Sequence, residues 1–430
     1  MKKLILFHYF LMIYKRIEQT RFVRTILVFY FIYFLMPGFA SGQQVNLEDQ
    51  QKIVAWSQTE ERTLALSGLF YDDPIYKNYV DEIARKILLH VPGAEKFNYH
   101  FHTLRNPFLN AFATAAGGIF VHTGLVARMD NEAQLAQVLA HEITHTLKQH
   151  PVLGYTHSKS QIAGYQLLSL GASVAFAMVG GRGIGTQIGD QFTQMGLVLI
   201  TSASLSGYSR QDEEEADVEG LRWAVAAGYD PREVPKVFAL LQKEYGDPGK
   251  VQNFFWGDHP RNTTRMAYLN EQIKKNYPEQ SMKGGAIRSE EYKTRVNLLL
   301  REDALLNIQY NQSHNALAEL DTFLRRVPND PTAVYYKGLA FQVITPSKAD
   351  TVALAKGMFN KALKLDSLFA LPHRALGQMA EKDSLKTDAV RHYRTYLTLK
   401  PDAKDRLFMN WKIGKLQESL NAPAPKGGVK

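Results

Sequence analysis

VLAHEITHTL, residues Val138–Leu147, sets two histidines four positions apart around a glutamate in an otherwise apolar run. On an α-helix, positions i and i+4 share a face one turn apart, so His141 and His145 can turn ring nitrogens toward a single ion. Glu142, one position round, flanks the open side of such an ion. The same stretch also suits a core helix with two polar-face histidines, and the choice rests on what surrounds it.

The surroundings are helical on one side and strand-like on the other. Asp130 or Asn131 caps a helix predicted from about Glu132 to His150 and ended by Pro151, with Leu135, Val138, Leu139 and Ile143 at helical spacing. Upstream, FNYHFHTLRNP (Phe97–Pro107) alternates like a strand, and GGIFVHTGL (Gly117–Leu125) is a second strand behind a glycine pair. Asn46 to Val91 reads as helix with a break at Gly68–Pro74. His122 is expected at an exposed strand position, and His150 at the helix end beside the carboxyl-terminal dipole.

A metal held by two histidines needs a third ligand and an open position for water. The chain has no cysteine, so disulfides, thiolate ligands and a cysteine nucleophile are excluded. The third ligand is therefore His, Asp or Glu, and YSRQDEEEADVEG (Tyr208–Gly220) offers three adjacent glutamates. A ligating histidine usually gives its other N–H to a carboxylate. Glu213 has Asp217 four residues on, placing a ligand and an orienter of His141 on one helix face; Glu215 with Glu219 is the alternative.

The remaining features bound the class of protein. A chain of 430 residues, 45% hydrophobic and 22% charged, is globular and long enough for two cores. Its formal charge of +9 gathers at the amino terminus, where Lys2, Lys3, Lys15, Arg16, Arg21 and Arg24 oppose only Glu18. What is left is ordinary, and no nucleic acid is implied. The basic cluster precedes TILVFYFIYFLM (Thr25–Met36) and then PGFASGQQ, a pattern that predicts a cleaved signal peptide over 1–42 and a periplasmic mature chain. An uncleaved anchor in the inner membrane, facing the periplasm, is the alternative.

Residues 161–206 are rich in Gly, Ala, Ser and aliphatics around GGRGIG (Gly180–Gly185). Two packed helices joined by a glycine loop is the plain reading, and membrane contact by 161–206 the other. A phosphate cradle is disfavoured, because no strand and no Lys-Ser/Thr pair accompany the glycines. From 297 onward an internal repeat aligns units 297–330, 331–369 and 370–403. Ala316, Ala355 and Ala389 match, as do Leu320, Phe359 and Tyr393, and Gly338 matches Gly377. This resembles tetratricopeptide repeats, paired helices stacked into a superhelix. PEQSMKGGAIR (Pro278–Arg288) separates the two halves, giving domains at 43–285 and 290–420.

Taken together, HEITH, the preceding NAFATAAGGIFVHTGL, the following SRQDEEEAD and DHPRNTTR (Asp258–Arg265) resemble the M48 family of zinc metallopeptidases, especially periplasmic members with a carboxy-terminal tetratricopeptide domain. The resemblance implies an α+β, mostly helical fold: a zincin-like domain with a small sheet carrying an edge strand, followed by an all-α superhelix. It implies one Zn²⁺ per chain on His141, His145 and Glu213, with Glu142 as general base and Asp217 and Arg265 behind the ligands. Gly117, Gly118, Ile119, Phe120 and Val121 are expected to bind extended substrate by adding it to a sheet edge. His259 is expected either to stabilise the oxyanion or to plug the metal. Thr114-Ala115-Ala116 departs from the family, where a proline often precedes the glycines.

The implied activity is zinc-dependent endoproteolysis of misfolded or stalled envelope or outer-membrane proteins, with the repeats recruiting substrate or the outer-membrane assembly machinery. The alternative is a chaperone-like adaptor whose peptidase site is latent.

Overall fold

The helical period of the first segment is realised as α1 (Leu47–Leu66) and α2 (Pro74–Leu88). Pro74 stands at the start of α2, where a missing N–H costs nothing, and the Asp73 side chain accepts from the Tyr76 N–H at 2.8 Å. Tyr76, Tyr79, Val80, Ile83 and Ile87 form the buried face of α2. The computed structural model describes residues 47–154, 208–245, 263–278, 284–344 and 349–421. The expected signal peptide, the 161–206 segment and His259 lie outside them.

Three short strands form the sheet among the described residues: β1 (His100–Leu104), β2 (Ala111–Ala113) and β3 (Gly118–His122), in the order β1-β3-β2. β1 runs parallel to β3, pairing His100 with Gly118, while β2 runs antiparallel, pairing Phe112 with Phe120. This order corrects one expectation. The strand that carries Gly118, Ile119, Phe120 and Val121 is the central one, paired on both sides, so neither it nor the preceding Gly117 offers a sheet edge. Hydrophobic alternation identifies a strand but not its neighbours, and the outer position belongs to β2.

The two faces of the sheet are covered differently. Ile119 and Val121 point into a core shared with Leu135, Leu139 and Ile143, whereas Phe120, Phe112 and Leu104 pack with Leu64 and Leu69. The helix bearing the two histidines therefore lies on one face and α1 on the other. His122, expected to be exposed, is buried at the end of β3, and burial lowers its pKa to about 4.

α3 (Thr123–Arg128) leads into α4 (Glu132–Leu147). Asn131 caps α4, its side chain accepting from the Gln134 N–H at 3.1 Å. The helix stops at Leu147, earlier than expected, because Gln149 takes a left-handed φ of 58°. Helix resumes at 150, so Pro151 occupies a first turn rather than ending one. α5 (Arg210–Ala226) opens with a capping box between Ser209 and Asp212. It lies so close to α4 that a Cβ at Gly220 would come within 2.9 Å of the His141 backbone nitrogen. α6 (Val234–Tyr245) and α7 (Thr263–Asn276) complete this half.

Every further described element is helical. α8 (Ser289–Arg295) and the start of α9 (Asn297–Gln309) send Tyr292, Val296 and Leu299 into the core that holds α4. Tyr292 donates its hydroxyl to the Val126 carbonyl at 2.6 Å. α10 (Ser313–Arg326) follows α9, α11 (Pro331–Ile344) is followed by α12 (Ala349–Leu365), and α13 (Ala370–Lys382) by α14 (Lys386–Leu399); α15 (Arg406–Asn421) comes last. Ala316, Ala355, Ala389, Leu320, Phe359 and Tyr393 are all fully buried. A Cβ at Gly338 would meet the Phe359 ring at 2.5 Å, and one at Gly377 would meet Tyr393 at 2.5 Å, so each small residue makes room for a large one on the next helix. Among the described residues no helix is long and apolar enough to cross a membrane.

Candidate active site

α4 supplies His141, Glu142 and His145; α5 supplies Glu213 and Asp217; α7 supplies Arg265. The close approach of α4 and α5 at Gly220 brings these groups together. His141 Nε2 and His145 Nε2 stand 3.0 Å apart, and the Glu213 carboxylate reaches them at 3.8 and 3.5 Å. Glu213 and His145 are fully buried, and Glu142 is 2% exposed. His141, Glu142, Asn110, Ala111, Val237 and Arg265 are among the walls of a cleft of about 540 Å³.

Each of the three side chains is oriented from behind in a way that frees the right atom. His141 Nδ1 lies 3.2 Å from Asp217 Oδ1. A carboxylate accepts, so Nδ1 carries the proton and Nε2 presents a lone pair. Asp217 is gripped by Arg265, whose Nε donates to Oδ2 and Nη2 to Oδ1, both at 2.7 Å. Burial works to raise the Asp217 pKa, but the Arg265 charge and the His141 bond outweigh it and hold it below the usual range. Arg265 Nη1 also reaches Glu213 Oε2 at 2.5 Å, fixing the third carboxylate.

His145 is oriented by His150, from beyond the end of its own helix. His150 Nδ1 lies 2.9 Å from His145 Nδ1, and His150 Nε2 lies 3.3 Å from Glu215 Oε2. With Nε2–H donated to Glu215, His150 Nδ1 accepts from His145 Nδ1–H, and His145 Nε2 is left with its lone pair toward His141 and Glu213. Burial lowers the His150 pKa, which suits this neutral state. The helix-dipole expectation for His150 is therefore corrected: the left-handed turn at Gln149 folds it back beneath His145. Tyr208 stacks on the His145 ring at 3.8 Å between centroids.

The geometry also separates the three glutamates. Glu215 pairs with Lys148 and His150, and Glu219 lies 3.6 Å from Arg222, so neither is directed at the two histidines. Of the three, Glu213 is the one that groups with His141 and His145, among the described residues, as a trio that could hold a metal ion. Two imidazoles and a carboxylate, buried, convergent and each braced by a hydrogen-bond partner, fit a borderline divalent ion such as zinc.

Beside this trio the sheet offers β2 rather than β3. The residues flanking β2 bond inward to β3, Asn110 accepting from the His122 N–H at 2.9 Å and the Thr114 N–H donating to the Gly118 carbonyl at 2.8 Å, in phase with Phe112 opposite Phe120. Ala111 and Ala113 consequently direct their backbone groups away from it. Ala111 and Asn110 also line the cleft that holds Glu142. Nothing in the sequence pattern signalled this swap of edge and centre.

The model of peptidase family M48 matches residues 74–273. The chain is 28% identical over 180 residues to the beta-barrel assembly-enhancing protease of Escherichia coli, covering 42% of this chain and 35% of that one. It is 28% identical over 193 residues to the mitochondrial metalloendopeptidase OMA1 of Schizosaccharomyces pombe, covering 45% and 52%. Against the same-named protein of Arabidopsis thaliana it is 32% identical over 177 residues, covering 41% and 32%. The chain thus spans between about a third and a half of these relatives' lengths. Residues 74–273, which hold the His141–His145–Glu213 trio and its braces, thus match a domain of peptidase family M48, a metallopeptidase family.

Proposed function

We propose that the chain is a zinc-dependent endopeptidase of the bacterial periplasm, cleaving misfolded or stalled envelope and outer-membrane proteins. The observation that carries this is the convergence of His141, His145 and Glu213 beside a buried Glu142. The substrate class rests on the likeness to proteases named for beta-barrel assembly, and the compartment on the amino-terminal sequence pattern.

His141, His145 and Glu213 would hold one zinc ion. Zinc, when bound, supplies a Lewis acid and makes water more acidic. Glu142 then serves as the proton carrier: its carboxylate takes a proton from the attacking water and returns it to the leaving amine. Asp217, Arg265 and His150 keep the ligand atoms aimed. His259 is proposed to donate to the oxyanion, or else to plug the metal; replacing it by Ala lowers proteolysis in the first case and raises it in the second, and unchanged proteolysis excludes both.

Extended substrate is proposed to add to the outer edge of β2, where Ala111 and Ala113 would exchange backbone hydrogen bonds with it. The carboxy-terminal helix pairs, read as tetratricopeptide repeats, would recruit substrate or assembly partners. Chelation tests the reading: proteolysis of a casein-type substrate falls to background on metal removal and returns with added zinc. Proteolysis that survives complete metal removal contradicts it.

A further inference from the structure

A second group of ligating side chains lies on the far side of the sheet. Glu61, on α1, faces His100 and His102, which share one face of β1 two residues apart. His100 Nε2 lies 2.5 Å from Glu61 Oε2, and His102 Nε2 lies 2.8 Å from Glu61 Oε1. One donor atom from each of the three falls within 4.8 Å of the other two.

The orientation of each imidazole is fixed independently of Glu61. His100 Nδ1 lies 2.8 Å from the Asn98 carbonyl. A carbonyl only accepts, so Nδ1 carries the hydrogen, and a neutral His100 has its lone pair on Nε2, aimed at the carboxylate. A backbone carbonyl behind the far nitrogen is the usual brace of a metal-bound histidine. His102 packs against two aromatic rings, Phe70 at 4.3 Å and Phe120 at 5.3 Å between centroids. Its Nε2 is thereby held toward the same point. All three residues are partly exposed, which leaves a path for an ion from solvent.

We propose that Glu61, His100 and His102 form a second divalent-metal site, distinct from the peptidase trio and selective for zinc-like ions. Two imidazoles with one carboxylate favour zinc, nickel or copper over magnesium or calcium, which want oxygen donors. The role is structural: α1 and β1 are tied together across the sheet face opposite α4, where His102 also packs on Phe120 of the central strand. The competing arrangement is a plain ion pair between a protonated His100 and Glu61, which needs no metal.

The test is zinc stoichiometry on the full chain by equilibrium dialysis with free zinc near 10 μM, roughly the regime in which a three-ligand site of micromolar affinity fills. The wild type is expected to hold two zinc ions. Glu61→Gln, close in shape and only partly buried, is expected to hold one and to keep casein cleavage within about twofold. Glu213→Gln is expected to lose the other. A wild-type stoichiometry of one that disappears in Glu213→Gln and persists in Glu61→Gln overturns the second site and leaves the peptidase reading standing. A single ion lost only in Glu61→Gln supports the second site and contradicts the peptidase reading. Cobalt substitution gives a check that needs no variant: the wild-type visible spectrum keeps growing past one equivalent if two sites exist, and saturates at one if they do not.

Discussion

Arg265 grips Asp217 with two parallel hydrogen bonds of 2.7 Å, and both groups are buried. This fork joins α7 to α5 behind His141. It makes a residue with no direct hold on a metal decide how firmly the ligands are placed.

Replacing Arg265 by Leu leaves the Asp217 carboxylate and part of Glu213 without their cation in a dry interior. Breaking one side of a buried pair of this kind costs about 3–5 kcal/mol. Urea unfolding of the apoprotein is expected to show a loss in that range. A loss under about 1 kcal/mol would mean that the fork is not the brace described, since exposed pairs are worth no more than that.

His150 is predicted to matter to metal affinity more than to stability. Its ring holds the Nδ1–H of His145 and thereby the direction of Nε2. Loss of such an outer partner typically weakens metal binding about 10–100-fold. His150→Phe fills the space without accepting a hydrogen bond, whereas His150→Asn retains an acceptor. Zinc competition against a chelator should give the lower affinity for Phe and partial recovery for Asn; equal affinity in wild type and both variants would dismiss the role.

The contact between α3 and α9 carries a pH-sensitive carboxyl. Asp303 on α9 is fully buried near Arg128, which also pairs with Glu319. Burial raises the Asp303 pKa from 3.8 to about 6, opposed by the Arg128 charge and by bonds from Thr123 and Asn307. The folded chain thus binds this proton more tightly than the unfolded chain, and between about pH 4 and 6 each rise in pH favours unfolding. The contribution is favourable below pH 4 and lost by pH 6, amounting to at most about 3 kcal/mol. Asp303→Asn should remove this slope, so that variant and wild type diverge between pH 4 and 7 in favour of the variant. A constant difference across that range would contradict it.

How much of the site is legible in the sequence differs by residue. His141, Glu142 and His145 were legible because one helix sets their geometry, and i, i+4 spacing is enough. Asp217 distinguishes Glu213 from Glu215, again by spacing within one helix. His150 was not legible, since its place depends on a left-handed turn at Gln149, a residue whose sequence gives no sign of it. The order of the strands was hidden for a different reason: Phe120 and Val121 alternate in the same way whether β3 is central or outer, and tertiary pairing alone decides. The grouping of Glu61 with His100 and His102 joins residues about forty positions apart, so it required the packing of α1 on the sheet.

The most direct measurement is proteolysis by the Glu142→Gln chain at matched zinc content. Glutamine keeps the shape of the side chain and removes its capacity to take a proton. Zinc is expected to remain on His141, His145 and Glu213 while turnover of a casein-type substrate falls by at least about 10²-fold, the lower end of what a general base contributes. Turnover equal to wild type in a zinc-loaded Glu142→Gln chain would contradict that expectation.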